Sequence, residues 1–383
     1  MKRYLKKSFM LFILISFTVT FSGCWDYEEM IDVKYLAGIA VDKDKYTNDY
    51  ILTLEVLEAS TNSKSINSNI VESRGKTIHS AFRDAIKVTG NMLQGSHAKI
   101  FIVSKEIAEE GIIQVIDLID RDVQLRNDMW ILISESDTAA DILCKGKREN
   151  EIISYELAAT NANANKVGKY IDIEIYRLIS DISNLGSSAI APLVNIKDNI
   201  GESKFEVSGM AVFKGEKVVG NLDELETMFL QILKEDNLKF VLPIELEDGH
   251  KISLEIMNVN RSMNPKLKDN KVVIDMTVNI DTALSELGSS GVDYILKDER
   301  DKVKIQSEKQ IVTDCYKVIE KLQKEYKSDA IGFGDILKKR KPNAWKEMEY
   351  QWSDIFEDIE VNLDVNVEIK YNGVTNRNIK VGD

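Results

Sequence analysis

Along the chain the spacing of apolar residues switches repeatedly between a period of two and a period near 3.6. Val33–Val41 and Tyr50–Leu57 read as strands; in the second, Leu52, Leu54 and Val56 alternate with Thr53 and Glu55. The turn-rich run Asp42–Asp49 (DKDKYTND) between them predicts a hairpin. Ser60–Ser73 is polar throughout and reads as an exposed loop. Thr77 is placed to cap a helix whose face is Ile78, Ala81, Phe82, Ala85 and Ile86. Ala98–Val103 is a short apolar strand. Ser104 opens a helical stretch with Ile112, Val115, Ile116 and Ile119 at helical spacing. Met129–Ser134 is a strand, Asp137–Cys144 a helix, and the order ββαβαβα predicts a mixed sheet covered by helices. Glu151–Ser183 reads as helical and polar, and Ala189–Ile196 as a strand.

Composition shifts at Lys197–Lys204 (KDNIGESK), where a domain boundary is expected. Beyond it, two strands flank the turn Lys214-Gly215-Glu216-Lys217. Leu222–Leu233 is a helix with Asp223 and Glu224 at the favourable end of its dipole. Strands follow near Phe240–Glu245, Lys251–Asn258 and Val272–Asp281. The longest helix is expected over Glu299–Lys327, with Ile311, Val312, Cys315, Val318, Ile319 and Leu322 as its buried stripe. A shorter helix ends in Lys338-Lys339-Arg340-Lys341 before Pro342, and Ile359–Tyr371 is a long alternating strand. Trp345, Met348, Trp352 and Phe356 fall at steps of three and four; Trp345, Met348 and Trp352 are expected to anchor the core, the alternative being an exposed docking stripe. The expected fold class is therefore α+β and multidomain, with mixed and antiparallel sheets covered by helices. Its parts are a leader over 1–23, an N-terminal α/β region over 24–200 and a C-terminal α+β domain over 201–383.

The leader says where the protein lives. Lys2, Arg3, Lys6 and Lys7 precede the 13-residue apolar stretch Phe9–Phe21, which is too short to span a bilayer and suits a signal-peptide core. Ser22 and Gly23 then precede Cys24, as in a bacterial lipobox. Small side chains let a peptidase reach the Gly23–Cys24 bond, and the Cys24 thiol can take a diacylglyceryl group as a thioether. The alternative is a signal peptide followed by an unmodified cysteine. The formal charge is −13, and loss of the basic leader makes the body more acidic still. An acidic body argues against nucleic acid, since phosphate binding needs a cationic face. It should also stand off anionic headgroups while two acyl chains hold it, each buried CH₂ contributing about 0.8 kcal/mol.

Chemistry-bearing residues are few. The chain has three histidines and three cysteines. His79, His97 and His250 fall in no paired ligand spacing, and no metal or cofactor motif appears. G-x-S-x-G is absent around Gly95-Ser96-His97, and Asp42-Lys43-Asp44 departs from an EF-hand after its start. Gly332-Phe333-Gly334 is read as a turn of close backbone approach rather than a dinucleotide fingerprint. Cys144 and Cys315 are expected to be buried free thiols. Lys338, Lys339, Arg340 and Lys341 suit a helix C-terminus, and they are also candidates for contact with a partner or with anionic headgroups.

Four segments together resemble the Ger(x)C family, the C subunits of spore germinant receptors. They are Gly23-Cys24-Trp25-Asp26 with the strand ending Gly38-Ile39-Ala40-Val41-Asp42; Gly209-Met210-Ala211-Val212-Phe213 with Val218-Val219-Gly220 and Asp223-Glu224-Leu225-Glu226; Asp329-Ala330-Ile331-Gly332-Phe333-Gly334; and Pro342, Trp345 and Trp352 closing on Asn372-Gly373. The resemblance implies a lipid-anchored subunit on the outer face of the spore inner membrane. Its partners would be membrane-embedded A and B subunits, in a complex that answers nutrients by triggering germination. It implies no catalytic set, no enzyme activity and no cofactor, and a further division of the N-terminal half. The competing expectation is a solute-binding lipoprotein that delivers a small molecule to a transporter, which would need a deep two-lobed cleft. A surface hydrolase would need a nucleophile–base pair, and no motif supplies one.

Overall fold

The computed structural model describes residues 3–10, 33–59, 66–145, 151–247, 249–269, 271–286 and 297–371. Gly23 and Cys24 lie outside them, as do Trp25, Asp26 and Asn372-Gly373. Among the described residues nine strands form one sheet and four form a second.

The first sheet contains β1 Val33–Lys43, β2 Tyr50–Ala59, β3 Ile66–Gly75, β4 Met92–Gln94, β5 Ile100–Ser104, β6 Trp130–Ser134, β7 Ile190–Asn199, β8 Glu202–Lys214 and β9 Lys217–Leu222. Their order is β3-β2-β1-β5-β6-β7-β8-β9, with β4 beside β1. The centre, β1-β5-β6-β7, is parallel, and the flanks are antiparallel. The central strands are near-continuous apolar runs (IFIVS, WILIS) because helices cover both of their faces. The β1–β2 hairpin turns at Asp44, whose carboxylate accepts from Tyr46 N at 2.9 Å and Thr47 N at 3.0 Å.

Four expectations need correction. Residues 66–73, read as loop, belong to β3, which pairs with β2 from Ala59↔Ile66 to Tyr50↔Gly75. The strand lies at the edge of the sheet, held by the backbone ladder with Ile70 and Val71 partly buried against the core; its two fully buried positions are Ser68 and Ser73. Residues 151–183 are three short helices, Ile153–Asn161, Ala164–Val167 and Ile175–Ile182, whose buried side chains are mostly apolar, with Ser154 and Asn161 among them. Tyr170, Ile171 and Ile173 are buried in the link between the last two, where Ile131 N donates to Ile173 O at 2.9 Å. The strands expected over Lys251–Asn258 and Val272–Asp281 extend to Lys268 and Glu286. Finally, Cys144 is exposed, because on helix Ala140–Lys145 the buried face is taken by Ile142 and Leu143; Cys315 is buried, and neither thiol is in a disulfide.

Segment 197–204 is the closed end of the β7–β8 hairpin, with Lys197↔Lys204 and Asn199↔Glu202 paired. β8 and β9 complete the first sheet, and helix Glu224–Lys234 leads away from it. The second sheet follows: β10 Val241–Glu245, β11 Lys251–Lys268, β12 Lys271–Glu286 and β13 Glu360–Tyr371, in that order. β13 enters parallel to β12, and the described elements between them are all helical. The expected long helix is Lys297–Glu320, which continues as a π-helical turn Lys321–Tyr326 and stops at Lys327, left-handed at φ 51°.

This helix closes both edges of the second sheet. Gln310 Oε1 accepts from Glu245 N at 3.0 Å and Gln306 Oε1 from Glu247 N at 3.2 Å on the β10 side. On the β13 side Glu308 Oε1 accepts from Val367 N at 2.9 Å, and the Tyr316 hydroxyl donates to Val361 O at 3.0 Å. A sheet edge covered in this way no longer templates pairing with another chain.

Candidate functional site

Two buried carboxylates on the first sheet hold helices in place. Glu55, fully buried on β2, accepts from Ile153 N at 3.0 Å, Ser154 N at 2.8 Å and Ser68 Oγ at 2.7 Å. Asp42, at the end of β1, accepts from Ala139 N at 2.7 Å and Ala140 N at 2.9 Å. Each satisfies orphan donors at a helix N-terminus from a residue roughly a hundred positions away. Burial pushes the Asp42 carboxyl up, against those two hydrogen bonds. Gly38 makes room for this layer: a Cβ there would lie 2.0 Å from Ser154 Oγ.

The remaining family-like segments meet at one seam between the two sheets. Asp329 is buried. Its Oδ1 accepts from Gly332 N at 2.8 Å and Phe333 N at 3.1 Å; its Oδ2 accepts from Gly334 N at 2.9 Å and Trp352 Nε1 at 3.0 Å. Burial pushes this carboxyl up too, while four donors favour its charged form. The turn docks against residues 184–188. Ser188 N donates to Asp329 O at 2.8 Å and Asp335 N to Gly186 O at 3.0 Å. Asn184 Nδ2 reaches both Asp335 oxygens, at 2.8 and 2.9 Å. Gly332 takes φ 94°, and a Cβ on Gly334 would lie 2.5 Å from Gly186 O. The turn is thus one of close backbone approach, as its sequence suggested.

A second set of contacts extends the seam. Ser328 Oγ donates to Phe213 O at 2.6 Å, and Lys234 Nζ to Ala330 O at 2.7 Å. Burial pushes the Lys234 ammonium down. Tyr326, on the π-helical turn, lies flat enough on β9 that a Cβ at Gly220 would sit 2.1 Å from its ring, and its hydroxyl donates to Asn221 O at 2.7 Å. Lys321 Nζ bonds both carboxylate oxygens of Glu226 at 2.8 Å, and Glu226 completes the capping box with Asp223. These residues fasten one half of the chain to the other. Sequence reasoning missed Ser328, Tyr326 and Lys321, whose partners lie 95 to 115 positions away.

Of the residues singled out for chemistry, few come together. His79 is half-exposed, 3.7 Å from Asp122. His97 packs edge-on to Tyr35 with ring centres 4.6 Å apart, and its Nδ1 lies 3.2 Å from the neighbouring Ser96 Oγ in a turn. Among the described residues no group of three or more His, Cys, Asp and Glu is placed to hold a metal. Lys338, Lys339, Arg340 and Lys341 are exposed at the end of helix Phe333–Arg340. Trp345, Trp352 and Phe356 are core residues and Met348 is partly buried against them; the stripe spans two short helices joined by a 3₁₀ turn.

Comparison with known proteins agrees with this arrangement. A family model described as the spore germination protein N-terminal domain matches residues 26–196, and one described as spore germination B3/GerAC like, C-terminal, matches 208–373. Spore germination protein B3 of Bacillus subtilis (strain 168) is 26% identical over 382 residues, covering 96% of this chain and 98% of that protein. Spore germination protein A3 of the same strain is 26% identical over 373 residues, covering 94% and 97%. The crystal structure of the GerBC protein superposes with a TM-score of 0.54 at 20% identity, covering 90% of this chain and 100% of that one, and has the same fold. The two family models lie on either side of the closed end of the β7–β8 hairpin and between them take in both sheets and the seam, so the chain belongs to the Ger(x)C family of spore germination proteins.

Proposed function

We propose that this protein is the lipid-anchored C subunit of a nutrient germinant receptor, working by contact and not by turnover. It would stand on the outer face of the spore inner membrane, bind the membrane-embedded A and B subunits, and be needed for nutrient-triggered germination. The observation that carries this reading is a family match over both halves of a chain whose leader ends on Gly23-Cys24. A diacylglyceryl group on Cys24 raises the effective concentration of the body at the membrane, so weak contacts with integral subunits suffice. The rigid seam supports a scaffolding role, since its charged groups are used up in holding the fold.

We also read the chain as two units, 24–200 and 201–383, the second lending β8 and β9 to the sheet of the first. Lys338–Lys341 form an exposed cationic run on an acidic protein and are proposed to face headgroups or an acidic partner surface. Replacing Cys24 with Ala tests the anchor. The variant should leave the membrane fraction and germinate poorly with nutrients. Full membrane retention together with normal germination would exclude the proposal.

A further inference from the structure

A groove of about 650 Å³ opens between helix Ile78–Asp84 and helix Ile113–Arg121, within the size range of small-molecule sites. Its wall is partly apolar: Ile78 is buried there and Leu118 packs on the core. Most charges along it are already paired. Lys76 Nζ lies 2.7 Å from Asp49, and Arg121 Nε 2.8 Å from Asp117.

Two charged groups have no hydrogen-bonded ion pair among the described residues. Arg83 is exposed on the groove with no ion pair among the described residues. The Asp122 side chain is only 8% exposed. Its Oδ1 accepts from Gln124 N at 2.9 Å, but its Oδ2 has no hydrogen-bond partner and lies 3.7 Å from His79 Nδ1. A carboxylate oxygen sequestered without a donor is costly, and such groups in folded proteins call for an explanation. His79 and Arg83 are one turn apart on the same helix face, so the free guanidinium and the orphaned oxygen share one groove without satisfying each other.

We propose that this groove binds a small zwitterionic solute with an aliphatic body, its carboxylate on Arg83 and its ammonium on Asp122. A simple carboxylate would satisfy Arg83 and leave Asp122 bare. A simple amine would do the reverse. The aliphatic part would lie on Ile78 and Leu118 and cover Val123, which is 98% exposed. This site goes beyond the contact role argued above, which assigns the chain protein partners and a membrane.

Isothermal titration of the full chain in detergent with L-leucine tests the assignment. 4-Methylpentanoate and 3-methylbutylamine serve as probes that each carry one of the two charges. L-Leucine should bind saturably, and each single-charge analogue should bind at least about tenfold more weakly, as the loss of one charge-assisted hydrogen bond requires. Arg83→Ala, a change at an exposed position, should leave thermal unfolding unaltered and bind L-leucine no better than 3-methylbutylamine. Asp122→Asn should lose the preference for L-leucine over 4-methylpentanoate. Absence of saturable heat with L-leucine, equal affinity for L-leucine and 4-methylpentanoate, or unaltered L-leucine binding by Arg83→Ala would each overturn the site. None of these outcomes bears on the Cys24 anchor, whose test reads membrane retention and germination.

Discussion

Trp352 Nε1 donates to Asp329 Oδ2 at 3.0 Å, and both side chains are buried. The bond joins a helix start to a glycine turn 23 positions earlier. Trp345 stacks edge-on against Trp352, ring centres 5.3 Å apart, so one carboxylate orients the turn and an aromatic pair together. The acidic residue of a family-like motif is here a bolt for backbone N–H groups.

Removing that carboxylate should therefore unfasten the seam. Asp329→Ala leaves Gly332, Phe333 and Gly334 N–H groups and the Trp352 indole without an acceptor, at a cost of about 3 kcal/mol or more. Asp329→Asn should fail similarly, because its one acceptor oxygen faces four donors. Urea unfolding followed by near-ultraviolet circular dichroism of tryptophan reads the loss; an unchanged midpoint in both variants would contradict this account.

Two glycine substitutions separate close approach from backbone conformation. Gly215 turns at φ 61° with nothing within 4 Å of an added Cβ, so Gly215→Ala should cost only about 1 kcal/mol of left-handed strain. At Gly334 the added carbon would meet Gly186 O at 2.5 Å, a backbone atom that cannot swing aside. Gly334→Ala should lower the melting temperature more than Gly215→Ala does, and the reverse order would show that the two strands of the seam can part freely.

Thiol labelling reports both burial and anchoring. The Cys315 thiol is pushed up by burial first and by Asp314 second, which keeps it neutral and inert, whereas Cys144 is exposed. A mild alkylating reagent should modify Cys144 in the native protein and reach Cys315 only after denaturation. Mass spectrometry of denatured protein from spore membranes should then find Cys24 unlabelled, because the proposed diacylglyceryl thioether would block its sulfur. Labelled Cys24 would mean that the anchor is absent.

The hydroxyl of Tyr316 donates to Val361 O and accepts from Leu363 N at 3.1 Å. Tyr316→Phe should cost about 1 kcal/mol, a modest loss because water can reach the freed groups. It should also bare the β13 edge, raising self-association seen by light scattering. A variant as stable and as monomeric as the parent would show that the remaining contacts from Glu308 suffice.

Elements that depend on near neighbours were legible in the order of residues. Thr77 caps its helix, the helix with Asp223 and Glu224 at its start forms over Glu224–Lys234, the stripe from Ile311 to Leu322 packs on the core, and Glu360–Tyr371 alternates as a strand. Capping, periodicity and turn chemistry act within a few residues, so a short stretch carries the whole cause. β3 escaped this reading because a strand rich in Ser and Asn, with Ile70 and Val71 partly buried, depends on the ladder of β2, which no window over 66–75 contains.

The candidate sites divide along the same line. The Cys24 lipobox is a linear motif read by an enzyme acting on extended chain, and order alone is enough to propose it. The seam and the two helix-capping carboxylates of the first sheet are not linear. Asp42 and Glu55 cap helices about a hundred positions away, and Ser328 meets Phe213 across 115 positions. A buried carboxylate is tolerable only where folding delivers several donors to it at once. Whether Asp329 is a surface charge, a catalyst or a bolt was therefore left to packing, which brought four N–H groups within 3.1 Å of it.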